Sequence, residues 1–175
     1  EDGKQRSLTR AYLASNSFVD HCVGVVLDAL EKSPHADNTL IVLWSDHGFH
    51  LGEKRHWAKR TLWEESTRVP LLVAGPQIAP GKPCRAPASL IDIYPTVADL
   101  AGLTPPKHLQ GASLRPLLSH PGRKGSKKYA YSVVSRGERL GYALRNQRWR
   151  YGKWPDGEEL YNLTNDPHEK NNLAG

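Results

Sequence analysis

The run TLIVLW at residues 39–44 constrains the fold more than any other part of the chain. Three of its positions are β-branched and none is charged, which is typical of a strand covered on both faces in the middle of a largely parallel sheet. The similar run VPLLVAG at 69–75 predicts a second strand, with Pro70 near its start, where a missing N–H is tolerated. Two strands and three helices cannot cover both faces of 39–44, so we expect further strands from elsewhere.

Helices are predicted on either side of these strands. Residues 8–32 carry apolar side chains at three- and four-residue steps, and a possible short helix lies at 62–66. A third helix is predicted at 89–103, with Pro95 acceptable in its first turn and Gly102 at its end. The order helix, strand, helix, strand, helix is an α/β pattern.

The pattern changes in the last third of the chain. Residues 104–128 are rich in Pro, Gly, Ser and Lys and are interpreted as a linker. Alternating segments then predict an antiparallel meander. We therefore predict an α/β chain with a mixed, mostly parallel sheet flanked by helices at 1–118, and a linker with a small antiparallel β subdomain at 119–175. The segments of this subdomain are strands at 129–135, 141–146, 148–154 and 159–163, and a turn or helix at 166–174.

Composition narrows the function classes. The 24 Lys and Arg exceed the 18 Asp and Glu, for a net charge of +6, which fits either a solvated surface or a field that attracts an anionic substrate. No apolar run is long enough to span a membrane, and no nucleic-acid-binding module appears, so neither partner is expected. Cys22 and Cys84 fit no metal spacing and no disulfide framework. The absence of methionine indicates a processed chain or a fragment.

The stretch SDHGFHLGEKRHWAKR at 45–60 carries the candidate chemistry. Asp46 and His47 follow the first predicted strand, at the sheet edge where α/β proteins bind ligands, and Gly48 permits the bend that lets both face one ion. A carboxylate and an imidazole form a plausible partial metal shell, to be completed by other segments. The alternatives are an Asx turn or helix cap for Asp46 and a hydrogen-bonded core histidine for His47.

Lys59 is the third candidate in this stretch. Its ammonium could act as a compact point charge on an oxygen of a transferring phosphoryl or sulfuryl group. The alternative is a solvated basic residue. His50 and His56 could be acid–base groups, but nothing in their spacing supports that role.

The segment from Thr39 to Val73 resembles the second signature region of the formylglycine-dependent sulfatases, in the alkaline-phosphatase-like superfamily. The pattern is most similar to iduronate and choline sulfatases. Three further stretches agree with this resemblance, which covers nearly the whole chain. They are SLIDIYPTVADLAGL, QGASLRPLL and GEELYNLTNDPHEKNNLA.

The resemblance implies roles for individual residues. Asp46 and His47 match the family's pair at a divalent metal, usually Ca²⁺, with Mg²⁺ or Zn²⁺ less expected. Lys59, twelve residues after His47, matches the catalytic lysine that contacts the sulfate group. The implied substrate is a sulfated small molecule or glycan, and the implied location is secreted, periplasmic or lysosomal. Residues 54–56 depart from the family pattern, which leaves substrate recognition there open.

The family's nucleophile is expected elsewhere. It arises from Cys or Ser in a C/S-x-P-x-R motif that is converted to formylglycine, and neither Cys22 nor Cys84 fits it. The paired aspartates that complete the family's metal shell are also missing. The chain therefore resembles the C-terminal half of a sulfatase, with a missing N-terminal half as its partner. The alternatives are a phosphodiesterase or phosphonate hydrolase of the same superfamily, or a non-catalytic remnant that binds anionic glycans.

Overall fold

A computed structural model describes residues 2–123, 125 and 127–175. Four helices and eight strands follow one another along this part of the chain, with single turns of 3-10 helix at Ala36–Asn38, Glu53–Arg55 and Leu90–Asp92. The helices are α1 (Asp2–Glu31), α2 (Glu64–Thr67), α3 (Ile93–Leu100) and α4 (Arg115–Ser119). The strands are β1 (Ile41–Trp44), β2 (His50–Leu51), β3 (Trp57–Ala58), β4 (Leu71–Ala74), β5 (Ala130–Arg136), β6 (Arg139–Arg145), β7 (Trp149–Trp154) and β8 (Gly157–Asn162).

The two strands predicted from the apolar runs exist, but they pair antiparallel. β1 and β4 form a two-stranded sheet in which Ile41 faces Ala74 and Trp44 faces Leu71. Every strand pair in the described residues is antiparallel, so these residues do not form the predicted mostly parallel sheet. Leu43 and Trp44 remain 40% and 49% exposed, although the composition of β1 predicts cover on both faces.

Helix α1 is longer than its predicted span of 8–32 and makes few contacts. Most of its described side chains are exposed, including Phe18 at 68% and Val26 at 66%. One contact ties it to the loop after β1, because the rings of Tyr12 and Phe49 stack with centroids 5.4 Å apart. The amphipathic pattern therefore predicted a helix correctly, but its apolar side chains are not buried by the described residues.

The third predicted helix is confirmed in shortened form. Ser89 and Asp92 form a reciprocal capping box before α3, and Pro95 lies in its first turn. Asp92 is fully buried and also accepts hydrogen bonds from the Ala112 N–H at 2.8 Å and the Lys127 ammonium at 2.5 Å. The predicted linker at 104–128 is thus partly structured, and it contains α4, with a proline at the start of that helix.

The predicted antiparallel meander is confirmed as a four-stranded sheet in the order β5-β6-β7-β8. One face is packed, with Ala143 and Tyr161 buried, and Leu62 contacts this face beside Gly152. The other face leaves Tyr131 and Val133 at 53% and 50% exposed. The segment at 166–174 forms turns and no helix in the described chain.

None of the helices in the described ranges combines the length and the apolar character needed to cross a bilayer.

Candidate active site

Gly48 fixes the loop that carries the first two candidate residues. Its N–H donates to the Ser66 carbonyl at 2.8 Å, which joins the loop after β1 to helix α2. A Cβ at Gly48 would lie 1.9 Å from the Glu65 carbonyl oxygen, so only glycine allows this approach without movement of the backbone. Asp46 and His47 directly precede this contact.

The structure brings the three predicted site residues together. The Lys59 ammonium donates to Nε2 of His47 at 2.7 Å, and Nδ1 of His47 donates to the Gly48 carbonyl at 2.9 Å. Since an ammonium has no acceptor and a carbonyl no donor, this pattern requires the tautomer with its proton on Nδ1. The Asp46 carboxylate approaches Nε2 to 3.5 Å and is 81% exposed.

Asp46 and His47 have the chemistry of a partial metal shell. A carbonyl bonded to Nδ1 is the usual second partner of a metal-binding histidine, and it points the Nε2 lone pair, which Lys59 contacts in this structure, to the side where a cation would bind. The carboxylate and this lone pair lie close together, as two ligands of one ion must. In the described part of the chain no cluster of three His, Cys, Asp or Glu residues is suited to a metal ion, so this pair could hold one only with ligands from elsewhere.

The backbone around Lys59 is unusual. Four residues other than glycine have a positive φ within seven positions, a conformation that side chains with a Cβ rarely adopt. Such strain concentrates where the surrounding structure holds a functional group in place. The four residues are Lys54 at 51°, Arg55 at 58°, Ala58 at 80° and Arg60 at 68°.

Two side chains hold this strained segment. Nε2 of His56 donates to the Lys59 carbonyl at 3.1 Å, and Nε of Arg136 donates to the Arg60 carbonyl at 2.8 Å. Arg136 belongs to β5, and its guanidinium stacks on the Trp154 ring at 4.9 Å. The C-terminal sheet therefore helps to set the position of Lys59. Sequence analysis did not find Arg136, because its partner lies 76 positions away.

The histidines considered as acid–base groups have structural partners. His50 is fully buried, and its Nε2 lies 2.7 Å from the Thr61 hydroxyl. Burial lowers the pKa of His50 below the usual histidine value, which favours the neutral ring. His56 packs edge-on against His50 with the ring centroids 5.0 Å apart. Both residues stabilise the hairpin between β2 and β3.

An open cavity of about 1700 Å³ adjoins the three candidate residues. Seven basic and two acidic side chains line it, so its field favours an anion. Lys82 and Arg85 were not singled out by sequence, because they lie in a Pro- and Gly-rich connection without a motif. The basic residues are Lys59, Arg60, Arg68, Lys82, Arg85, Arg145 and Arg150, and the acidic ones are Asp46 and Glu64.

Although neither cysteine fits the family's nucleophile motif, the segment that begins at Ser119 does. Residues 119–123 read S-H-P-G-R, which fits C/S-x-P-x-R letter by letter. Ser119 ends α4, and its hydroxyl donates to the Gln77 carbonyl at 3.4 Å. Ser119 is not among the described residues that line the cavity with Asp46, His47 and Lys59. Among the described residues, Ser119 makes no hydrogen bond to Asp46, His47 or Lys59.

Comparisons with known proteins identify the family to which this chain belongs. The profile of the family described as Sulfatase matches residues 1–103, more than half of the chain. A protein named Sulfatase from Formosa agariphila is 42% identical over 174 residues, which are 98% of this chain and 33% of that protein. The chain belongs to the sulfatase family, and the resemblance inferred from its motifs is confirmed. It spans about a third of the length of the curated relatives it matches.

Two solved structures define the structural relationship. One is a protein in complex with its substrate, D-glucosamine-2-N,6-O-disulfate, with a TM-score of 0.81 and 35% identity; the match covers 93% of this chain and 35% of that one. The other is a phosphonate monoester hydrolase of Agrobacterium radiobacter, with a TM-score of 0.79 and 28% identity, over 89% of this chain and 35% of that one.

Proposed function

We propose that this chain supplies part of the active site of a metal-dependent sulfatase that hydrolyses sulfuric esters. Asp46 and His47 are the metal ligands, and Lys59 binds the sulfate group. The contact between Lys59 and Nε2 of His47, beside the Asp46 carboxylate, is the observation that carries this proposal. By the resemblance, the cation is Ca²⁺ in preference to Mg²⁺ or Zn²⁺.

In this proposal, Lys59 and the cation both neutralise oxygens of the sulfate group. A divalent cation at Asp46 and His47 would supply Lewis-acid stabilisation of a sulfate oxygen. Lys59 now occupies the Nε2 lone pair that a cation needs, and one lone pair cannot serve both. With a cation on this lone pair, the Lys59 ammonium would be free to neutralise a second sulfate oxygen.

The nucleophile belongs to another segment in this proposal. By the resemblance it is a formylglycine that acts as a covalent nucleophile, and neither cysteine of this chain fits its motif. We propose that residues 1–118 belong to the catalytic α/β domain and 119–175 to a linker and C-terminal subdomain, and that a missing N-terminal part of the protein completes the site. The exposed apolar side chains of α1 and β1 support this assignment.

Aryl sulfate hydrolysis by the complete protein tests the proposal. Lys59→Ala should lower kcat/KM by about 100-fold or more, the usual cost of removing a charge that stabilises the transition state. Asp46→Ala should abolish stabilisation by Ca²⁺ in thermal unfolding. Lys153→Ala is the matched control, because this lysine is exposed on β7, where it pairs with Glu158, and it should leave both measurements unchanged. Full activity of Lys59→Ala would contradict the proposal.

The source of the nucleophile needs its own test. Ser119→Ala in the complete protein should retain activity, and the isolated chain of residues 1–175 should not turn over an aryl sulfate. Loss of activity in Ser119→Ala with a normal melting temperature would place the nucleophile in this chain.

A second candidate is phosphonate or phosphate ester hydrolysis, favoured by the likeness to a phosphonate monoester hydrolase. Sulfate and phosphonate esters both present anionic oxygens to a basic cavity. Profiling the complete protein against matched aryl sulfate and aryl phosphonate esters distinguishes them by kcat/KM. Cation binding without turnover of either ester would favour a non-catalytic, anionic-glycan-binding protein.

A further inference from the structure

A buried cluster of charged residues links the C-terminal tail to helix α2. Glu169 is fully buried and has a φ of 53°, so both its backbone and its side chain are held in an unfavourable setting. Its Oε1 lies 2.9 Å from Nε of Arg150, which is 2% exposed on β7. Burying such a pair is costly unless close geometry and further hydrogen bonds offset the lost hydration of both charges.

The two residues converge on the start of α2. Oε2 of Glu169 accepts the Glu64 N–H at 2.8 Å, as an acceptor at a helix N-terminus does. Arg150 donates to the Leu62 carbonyl, the Glu64 carboxylate and, at 2.8 Å, the Thr67 hydroxyl. The backbone and the side chains of α2 are thus held from the C-terminal subdomain.

Helix α2 in turn holds the loop of Asp46 and His47. The Ser66 carbonyl of α2 accepts the Gly48 N–H at 2.8 Å, and the Glu65 carbonyl lies where a Cβ of Gly48 would stand. The Gly48 carbonyl accepts from Nδ1 of His47 and thereby sets the direction of Nε2. A continuous path of direct contacts therefore runs from Glu169 to the ring of His47.

We infer that Glu169, with Arg150, is a positioning residue for the Asp46–His47 pair, which lets the C-terminal tail control the affinity of the site for a divalent cation. This inference rests on the proposed function of that pair. Glu169 itself touches neither the pair nor Lys59 by any hydrogen bond or ion pair in the described residues. Its influence passes through the backbone of α2.

Burial and the surrounding charges shift the pKa of the Glu169 carboxyl group. Burial raises the pKa of Glu169 to about 7, the carboxylates of Glu64 and Glu65 add to the rise, and Arg150 and the Glu64 N–H oppose it. The pKa of Glu64 is lowered, since its bonds to Arg145 and Arg150 outweigh the effect of burial. A neutral amide at position 169 removes the ion pair with Arg150 but keeps an acceptor for the Glu64 N–H.

Calcium titration of the complete protein by calorimetry, well below its melting temperature, tests the inference. Glu169→Gln should weaken Ca²⁺ affinity about 3- to 10-fold, less than the 10- to 100-fold cost of changing a group that touches a metal ligand directly. Thr67→Val removes the hydrogen bond from Arg150 and the bond that the Thr67 hydroxyl donates to the Trp63 carbonyl at 3.0 Å, and it should produce a smaller shift in the same direction. Glu158→Gln is the matched control, because this glutamate pairs with Lys153 on the exposed side of the same sheet, and it should leave the affinity unchanged.

The outcomes separate this inference from the function on which it rests. If the wild type binds Ca²⁺, Asp46→Ala does not, and Glu169→Gln and Thr67→Val bind like the wild type, the positioning role is wrong and the proposed metal site stands. A lower melting temperature with unchanged affinity would also overturn it, because that result marks a purely structural residue. If the wild type binds no divalent cation, the proposed function fails.

Discussion

The C-terminal sheet and the N-terminal region differ in how far they bury their apolar side chains. Strands β6 and β7 are paired on both sides, and one face of their sheet is closed over Ala143 and Tyr161. Helix α1 and strand β1, by contrast, expose most of their apolar side chains, among them Phe18 at 68% and Trp44 at 49%. The candidate site lies between these regions, because its loop follows β1 and is held by α2, which the sheet supports. The sheet therefore supports the site from one side, whereas the segment that follows β1 carries the candidate groups Asp46, His47 and Lys59.

Hydrogen exchange should show the largest difference between the two regions. In the isolated chain, amides of β6 and β7 should exchange only on global unfolding, at a cost of several kcal/mol. Amides of α1 should exchange with a cost of about 1 kcal/mol or less, because little apolar contact resists local opening. Mass spectrometry of peptides from the two regions checks this. Equal protection of α1 and β6 would remove the distinction between them.

Gly48→Ala should disrupt the contact between the loop after β1 and helix α2, which the C-terminal sheet supports. Its Cβ would overlap the Glu65 carbonyl oxygen, which is backbone and cannot rotate away, so we expect a loss of about 3 kcal/mol in the free energy of unfolding. Urea titration followed by tryptophan fluorescence measures it. Gly81→Ala is a useful control with a different cause, since open space surrounds that glycine and only its φ of 62° opposes a side chain. A smaller loss at Gly48 than at Gly81 would contradict the packing argument.

The pH dependence of stability should report the cost of burying Glu169. Its pKa is raised from 4.5 to about 7 in the folded chain, so the folded state retains the proton where the unfolded state has lost it. The raised pKa of Glu169 therefore adds to the free energy of unfolding in full below about pH 4.5. This contribution, up to about 3 kcal/mol, is lost as the pH rises through about 7. Glu169→Gln should remove this component, which urea titrations at several pH values resolve as the difference between the two proteins. Parallel pH curves for the variant and the wild type would show that the pKa is not raised.

Local patterns predicted most elements but not their pairing. The apolar runs and the alternating segments identified β1, β4 and the C-terminal meander, because periodicity is a local property. The antiparallel direction of β1 and β4 could not be read from their composition, since a strand buried on two faces looks the same in either direction. The two-residue strands β2 and β3 and the five-residue helix α4 are too short to produce a period.

The sequence singles out the candidate site residues themselves, but not the distant residues that hold them in place. Asp46, His47 and Lys59 lie in one short stretch, and both the chemistry of their side chains and the family resemblance single them out. Arg136 and Glu169 act across 76 and 105 positions, and no local signal connects them to their partners. Contacts at such separations depend on the tertiary fold.

Gly24→Ala should have the smallest effect and should show how loosely α1 is held. Glycine in the middle of a helix costs about 0.5–1 kcal/mol relative to alanine, and nothing lies within 4 Å of an added Cβ at this position. If α1 unfolds locally before the rest of the chain, this gain raises the helix content but not the global melting temperature. Far-ultraviolet circular dichroism at 222 nm and a thermal melt followed by tryptophan fluorescence measure the two quantities separately. A rise in the melting temperature of several degrees would mean that α1 and the C-terminal sheet unfold together. The two regions would then differ in the exposure of their apolar side chains but not in stability.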